Sequence, residues 1–406
     1  MNPLQFAPKL LSRFKPTMVL PHPFPGLTLI HRMSLAREVL QRHEEFSVAH
    51  QGARMEACFG PAMLGMPEGD EYRAHLGLAK QLIARDDVRQ IAELLEPEAE
   101  VIIDRALAHK PTLNLIGDYL DPLCLHYLER YFGLPDPGHG ALLRWYRMTS
   151  HYIFNVYLLN GPSVELPARR AGKQLLSHAA DVVRRRSTEA RITGEDVMSR
   201  LLRLRQTSYP EMSDAELAAR LVALSSGGVV APFSLALNVL DQLLALPKPI
   251  LEGVREAARH DDDAVVLDYV REAARFNPVP PIVSRFCEHG ATLAPGGELE
   301  RRVPKGSLVV CNLVAANRDP FALEAPEAFR PGRTDHERLL YGHALHHCFA
   351  AHVGEAVMVA ATKALLKRPL FERVPGPDGQ MLRGPKLDYP EGVYPMSLNV
   401  RLVRFD

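Results

Sequence analysis

The sequence predicts a mainly α-helical protein with a small β part, organised as a single domain over residues 1–406, and three observations predict it. Apolar residues recur at helical spacing in block after block, with no low-complexity linker and no internal repeat between them. The stretch Ala223 to Leu237, in the middle of the longest helical pattern, carries no charged side chain and must be buried through its centre. Short β-like runs are gathered late in the chain, at 282–287, 291–294, 299–303 and 307–311, between turn signals.

Taken in order, residues 26–48 read as a strand, a turn and a short amphipathic helix. Helical patterns follow at about 70–84, 90–109 and 115–134. Residues 140–160 are rich in aromatics (Trp145, Tyr146, Tyr152, Phe154, Tyr157), a stripe that suits either a core or a binding wall. The patterns at 168–187 and 195–206 carry basic faces that suit solvent.

Ser213 and Glu216 form a capping box that opens the longest helix, which runs to Leu246 before Pro247. At 1.5 Å per residue such a helix spans about 50 Å. Its middle contains Gly227, Gly228 and Pro232. Glycine costs about 1 kcal/mol against alanine inside a helix and proline about 3. A buried helix that accepts both is either kinked there or closely approached by another group. A further helix over 269–275 places Glu272 and Arg275 on one face. An irregular stretch rich in Pro, Asp and Arg (317–340) then leads into Tyr341-Gly342-His343-Ala344-Leu345-His346-His347-Cys348 and an apolar helix that Pro369 stops.

Lys plus Arg equals Asp plus Glu at 48 each, which gives no strong field toward nucleic acid or an anionic membrane. Five scattered cysteines do not read as a disulfide framework and suit a reducing compartment. No segment reads as a membrane span of about 20 apolar residues, and the first fifteen residues lack the apolar core of a signal peptide. The expected location is the cytoplasm.

Cys348 lies at the start of a helix, where the dipole and free N–H groups favour a thiolate. With three histidines around it, metal ligation is the first reading. Zinc would be offered by His343, His347, Cys348 and His352, although these lack the paired half-sites of structural zinc. Haem iron would need one axial thiolate and cations elsewhere for the propionates.

The motifs together resemble the cytochrome P450 family over nearly the whole chain. The cysteine segment is similar to the family's haem loop, aromatic-Gly-x-Gly-x-His-x-Cys-x-Gly, with Tyr341 for the usual Phe and with Ala344 and Ala350 for two glycines. Glu272-x-x-Arg275 matches the family's Glu-x-x-Arg helix, and Phe329 to Arg333 matches the segment supplying its third member, Arg333. Ala315-Ala316-Asn317-Arg318-Asp319-Pro320 is typical of bacterial members. The resemblance implies haem b (iron protoporphyrin IX) with Cys348 as axial ligand, Tyr341 and Phe349 in the haem loop, and His346 and Arg285 at the propionates. The usual His-x-x-x-Arg is missing, and Tyr72, Arg73, His75 or Lys80 would stand in for it. Some segments, Asn277 to Pro281 and the 348–366 helix, look like hydroperoxide-isomerase-type members.

The family's long helix carries an acid–alcohol pair that relays protons into the distal pocket. Counting from Gly228 and Asn238, the acid position is Val230 and the alcohol position Ala231, followed by Pro232, and neither side chain has a proton to give. Three readings follow: a monooxygenase drawing protons from water or a substrate hydroxyl and electrons from ferredoxin and its reductase; a peroxide-using or hydroperoxide-rearranging enzyme needing no redox partner; or a haem-bearing recruiter without turnover. The expected substrate is a hydrophobic small molecule, with Phe59, Met63, Met66, Ile282 and Met396 as pocket walls.

Overall fold

The alternating runs late in the chain pair with strands from its beginning, so the β part joins the two ends of the sequence. The computed structural model describes residues 17–19, 26–154, 162–189, 192–368, 371–383 and 395–402. Its strands are β1 (Thr17–Val19), β2 (Leu27–Ile30), β3 (Phe46–Ser47), β4 (Thr112–Asn114), β5 (Ile282–Cys287), β6 (Ala291–Leu293), β7 (Arg301–Val303), β8 (Ser307–Asn312), β9 (Phe371–Arg373), β10 (Leu382–Arg383), β11 (Pro395–Ser397) and β12 (Asn399–Leu402). Five of them form a sheet in the order β1-β2-β8-β5-β3. β2 runs parallel to β8, while β5 runs antiparallel to it with Arg285 opposite Val309. Smaller sheets are β4-β12-β9, β6-β7 and β10-β11.

The helices are α1 (Met33–Gln41), α2 (Ala49–Phe59), α3 (Asp70–Leu82), α4 (Asp87–Leu107), α5 (Asp121–Arg130), α6 (Ala141–Phe154), α7 (Pro162–Ser187), α8 (Val197–Thr207), α9 (Asp214–Leu243), α10 (Lys248–Arg259), α11 (Asp263–Phe276), α12 (Leu313–Ala316) and α13 (Ala351–Leu366). The 115–134 pattern is not one helix. A wider π turn over Leu115–Leu120 precedes α5, because Pro122 at its start has no N–H to return to the preceding turn.

The capping box at Ser213 is formed on both arms, and α9 continues unbroken through Pro232. Its length and hydropathy would suffice to cross a membrane, so the chain does contain an apolar span of that size. Here 67% of that window is buried inside the fold. α9 and α13 share the main apolar core with α4 to α8, while a second core lies between α1 and the larger sheet. The aromatic stripe divides: Tyr146 and Tyr152 are core, Tyr146 bonding Ser225 Oγ at 2.5 Å, and Phe154 reaches a cavity. Tyr157 lies outside the described residues.

Asp319, from the Ala315–Pro320 run, accepts the Met33 N–H at 3.0 Å and pairs with Arg32 at 2.8 Å. It caps α1 from across the sequence, since Arg32 offers no side-chain cap of its own.

Candidate active site

A cavity of about 430 Å³ lies between α9, α3, β5 and the cysteine loop, within the range usual for small-molecule and cofactor sites. α9 contributes one face at helical spacing, from Arg220 through Gly227 and Gly228 to Ala231, Ser234 and Asn238. Val230 and Pro232 also reach the wall. A side chain at Gly228 would run into the Phe132 ring, 2.9 Å from an added Cβ. The close approach that this glycine permits is therefore aromatic packing by Phe132, itself a cavity-lining residue.

The facing wall is the cysteine loop. Cys348 lies at the cavity with Tyr341, His346 and Phe349, and its N–H donates to the Tyr341 carbonyl at 2.8 Å. Burial pushes the Cys348 thiol up, against the lowering effect of the Ala350 N–H. In the protein alone burial opposes the expected helix-favoured thiolate, and α13 starts only at Ala351. A bound metal reverses this, because a coordinating thiol is deprotonated outright.

Zinc does not fit. Among the described residues no cluster of three His, Cys, Asp or Glu side chains could hold a metal ion, and His352 Nε2 is engaged with the Ala84 carbonyl at 2.9 Å.

Haem does fit. Arg285 is buried at the cavity wall, with Nη1 donating only to its neighbour's carbonyl, Ser284 O, and with Nε unpartnered. Burial holds this guanidinium's pKa below its ordinary value. His346 Nδ1 is likewise buried without a partner, and burial, with Arg285 and His43 adding to it, pushes the ring down to about 4. Among the described residues no Asp or Glu lines the cavity. A buried guanidinium without an acid is costly. The group that fills this space must bring its own negative charge, as a haem does with its two propionates.

Beneath the loop, Arg275 forks onto Glu272 through Nε and Nη2, both at 2.9 Å, and Arg333 Nε reaches the same carboxylate at 3.3 Å. Glu272 and Arg275 are fully buried. Their spare donors are satisfied, Arg275 Nη1 by Asn317 O at 2.6 Å and Arg333 Nη2 by Ala325 O at 2.9 Å. Asn317 in turn exchanges two hydrogen bonds with the Leu339 backbone, which leads into the loop.

No family model matches the sequence. Curated relatives do. Cytochrome P450 107B1 of Saccharopolyspora erythraea is 25% identical over 320 residues, covering 79% of this chain and 73% of the relative. The vitamin D(3) 25-hydroxylase of Pseudonocardia autotrophica is 25% identical, covering 82% and 77%, and the cyclomarin C epoxidase of Salinispora arenicola is 24% identical, covering 73% and 71%. Among solved structures, P450BioI bound to an acyl-loaded carrier protein superposes with a TM-score of 0.79 at 17% identity, covering 99% of both chains. CalO2 gives 0.79 at 19% identity, covering 99% and 96%.

The chain is a cytochrome P450. It is an oxidoreductase whose cofactor is haem b, and its relatives include hydroxylases and epoxidases.

Within this P450 several expected residues take other places. Phe59 and Met66 are buried and do not line the cavity. Phe59 ends α2 inside the main core, before Gly60 turns the chain at positive φ, and Met66 follows Gly65, which packs directly on Gly52. Met63 and Ile282 do line it, and the Met396 side chain falls outside the described residues. Arg73 pairs with Asp70 and Glu68 at the surface, and Lys80 is exposed, so neither reaches the cavity. His75 does. Tyr72 also does, but its hydroxyl donates to Leu345 O at 2.6 Å, and it ties α3 to the loop.

Sequence reasoning missed two groups. Arg220 lies one turn before the uncharged stretch of α9, on the same spacing as Gly227 and Gly228, and that spacing was the signal. Glu355, buried on α13, accepts from Arg271 and Tyr341, and its partners are too distant in sequence to be read from spacing.

Proposed function

We propose that this P450 is a cytoplasmic monooxygenase of secondary metabolism, acting as one unit over residues 1–406 on a hydrophobic small molecule without a side-chain proton relay. In this reading Cys348 is the axial thiolate, Arg285 and His346 hold the propionates, and Tyr72, His75, Tyr341 and Phe349 shape the haem pocket. Haem, held through the Cys348 thiolate, would supply the iron at which oxygen is activated.

The observation that carries the reading is the α9 face. Val230 and Ala231 reach the cavity at the positions of the family's acid and alcohol, and neither can donate a proton. Pro232 has no N–H, so the Gly228 carbonyl lacks its ordinary helical donor and is left able to accept from a water or a substrate hydroxyl. Protons then come from that water or hydroxyl. Hydroxylation and epoxidation by the relatives favour this over chemistry that needs only a peroxide.

The same α9 face favours a second reading, in which the enzyme uses a preformed peroxide or rearranges a lipid hydroperoxide and needs no redox partner. The test mixes ferric protein with a fatty-acid hydroperoxide, or with hydrogen peroxide and a fatty acid, and follows the haem band and the products. A parallel arm supplies ferredoxin, its reductase and NADPH. Turnover only in the second arm supports the monooxygenase. Product without reductant replaces it with peroxide chemistry, and no turnover in either arm makes the protein a recruiter.

A further inference from the structure

Two arginines line the cavity, Arg285 from β5 and Arg220 from α9. Arg285 belongs with the haem edge. Arg220 lies on α9, two turns before Gly228 and about 12 Å from it along the helix axis. It is half-buried, and among the described residues it makes no ion pair or hydrogen bond within 4.0 Å. Glu216, a turn back on the same helix, is committed to the capping box, accepting from Ser213 N at 2.8 Å and Ser213 Oγ at 2.7 Å. His75 lines the same cavity from α3, and burial, with the Arg220 guanidinium adding to it and Glu71 opposing, pushes the imidazole's pKa below its ordinary value. Between Arg220 and Gly228 the wall is Ala223, Leu224, Gly227 and Ser226, whose hydroxyl is turned back onto the Ala223 carbonyl at 2.9 Å.

A guanidinium at one end of an apolar trough, with no acid in the lining, is a carboxylate anchor. We propose that Arg220 binds the carboxylate of an apolar acid whose hydrocarbon part runs along α9 toward Gly228 and Ala231. This gives the monooxygenase reading its substrate class, and it rests on that reading only for the cavity being the substrate site. The guanidinium sets both affinity and register, because it fixes which carbon lies against Gly228.

The experiment titrates purified holoprotein with lauric, myristic and palmitic acids and with their methyl esters. Binding is followed by the Soret band and, independently, by calorimetry. Wild type is expected to bind at least one acid tenfold or more tightly than its ester. Arg220→Leu should weaken that acid at least tenfold and change ester binding less than twofold, and Arg220→Lys should recover most of the loss. Equal binding of acid and ester, no binding of any acid, or an unchanged Arg220→Leu overturns the proposal. So does an Arg220→Leu protein that purifies with less haem than wild type, since Arg220 would then be a propionate partner. Failure of the monooxygenase reading itself appears elsewhere, as the absence of turnover with ferredoxin, reductase and NADPH.

Discussion

The hydroxyl of Tyr341 donates to Glu355 Oε1 at 3.1 Å, and Arg271 grips the same carboxylate through Nε and Nη2, both at 2.7 Å. The departure from phenylalanine at the first position of the haem loop therefore has a physical reason: the added oxygen completes a carboxylate site that joins α11, the loop and α13. Tyr341→Phe should cost about 1 kcal/mol, the net worth of one such bond. Arg271→Met should cost more, about 1–3 kcal/mol, because Glu355 is left partly buried without its cation. Urea unfolding of the holoprotein, read by circular dichroism and the Soret band, ranks the two. A larger loss from Tyr341→Phe would show that Arg271 is only a surface partner.

Glu272 accepts from Arg275, Arg333 and the Arg330 N–H, and it has no exposure to solvent. Glu272→Gln keeps its shape and strands two buried guanidiniums. The expected cost is about 3–5 kcal/mol, enough to remove most of the folded population of an ordinary domain. The measurement is the yield of haem-loaded protein together with the urea midpoint. A variant that retains wild-type stability would mean the network is ornamental to the loop.

The two alanines that stand where the family has glycine are not equivalent. Ala344 sits at φ +54, in the left-handed region that costs an L-residue about 1–2 kcal/mol. Ala350 sits at φ −105, an ordinary conformation. Ala344→Gly should therefore stabilise the protein by about 0.5–1 kcal/mol, less strain being partly offset by a freer unfolded chain. Ala350→Gly should destabilise it by a similar amount. Thermal unfolding of both variants decides the matter by sign, and two shifts in the same direction would refute it.

Much of this fold is legible because its signals are local. The α9 capping box, the uncharged centre of that helix and the Glu272–Arg275 spacing each depend on residues a few positions apart, and the structure forms all three. What is illegible depends on direction and distance. Phe59 and Met63 are four residues apart, yet only Met63 faces the cavity, because the chain reverses at Gly60. The Cys348 thiol is pushed up by burial, which no sequence pattern displays. Tyr72 suits a haem contact by its position, and nothing in its sequence neighbourhood points to the Leu345 carbonyl that takes its hydroxyl.

His31 and His151 are buried away from the cavity, and burial pushes each down to about 4 from an ordinary 6.5. His31 Nδ1 lies 3.2 Å from Asn312 Nδ2 and Nε2 has no partner, so the neutral ring is the form the fold accepts. Between pH 6.5 and pH 4 the unfolded chain binds a proton at each site that the folded chain refuses, so stability falls as pH falls. At pH 5 the penalty is about 2 kcal/mol per histidine as an order of magnitude. His31→Asn should shrink the loss in unfolding free energy between pH 7 and pH 5. An unchanged loss would mean that His31 already titrates normally in the native state.

Val230 and Ala231 carry the last prediction. If the missing relay limits oxygen-dependent turnover, Val230→Glu with Ala231→Thr should restore it, since a positioned acid is worth about a hundredfold or more in proton transfer. Val230 is 5% exposed at the cavity wall, so the new carboxyl will be partly desolvated and its pKa raised toward the working range. Ala231→Thr alone adds a hydroxyl with little bulk and serves as the milder variant. The quantity to follow is product formed per NADPH consumed with ferredoxin and reductase present, with the peroxide-supported rate as control. A rise in the first without the second places the deficit in proton supply. Pro232 remains in both variants, and with it a Gly228 carbonyl that lacks its ordinary helical donor. If neither variant improves coupling while both fold and bind haem, that carbonyl and the water or hydroxyl it holds already deliver protons well enough, and the side-chain relay is dispensable in this chain.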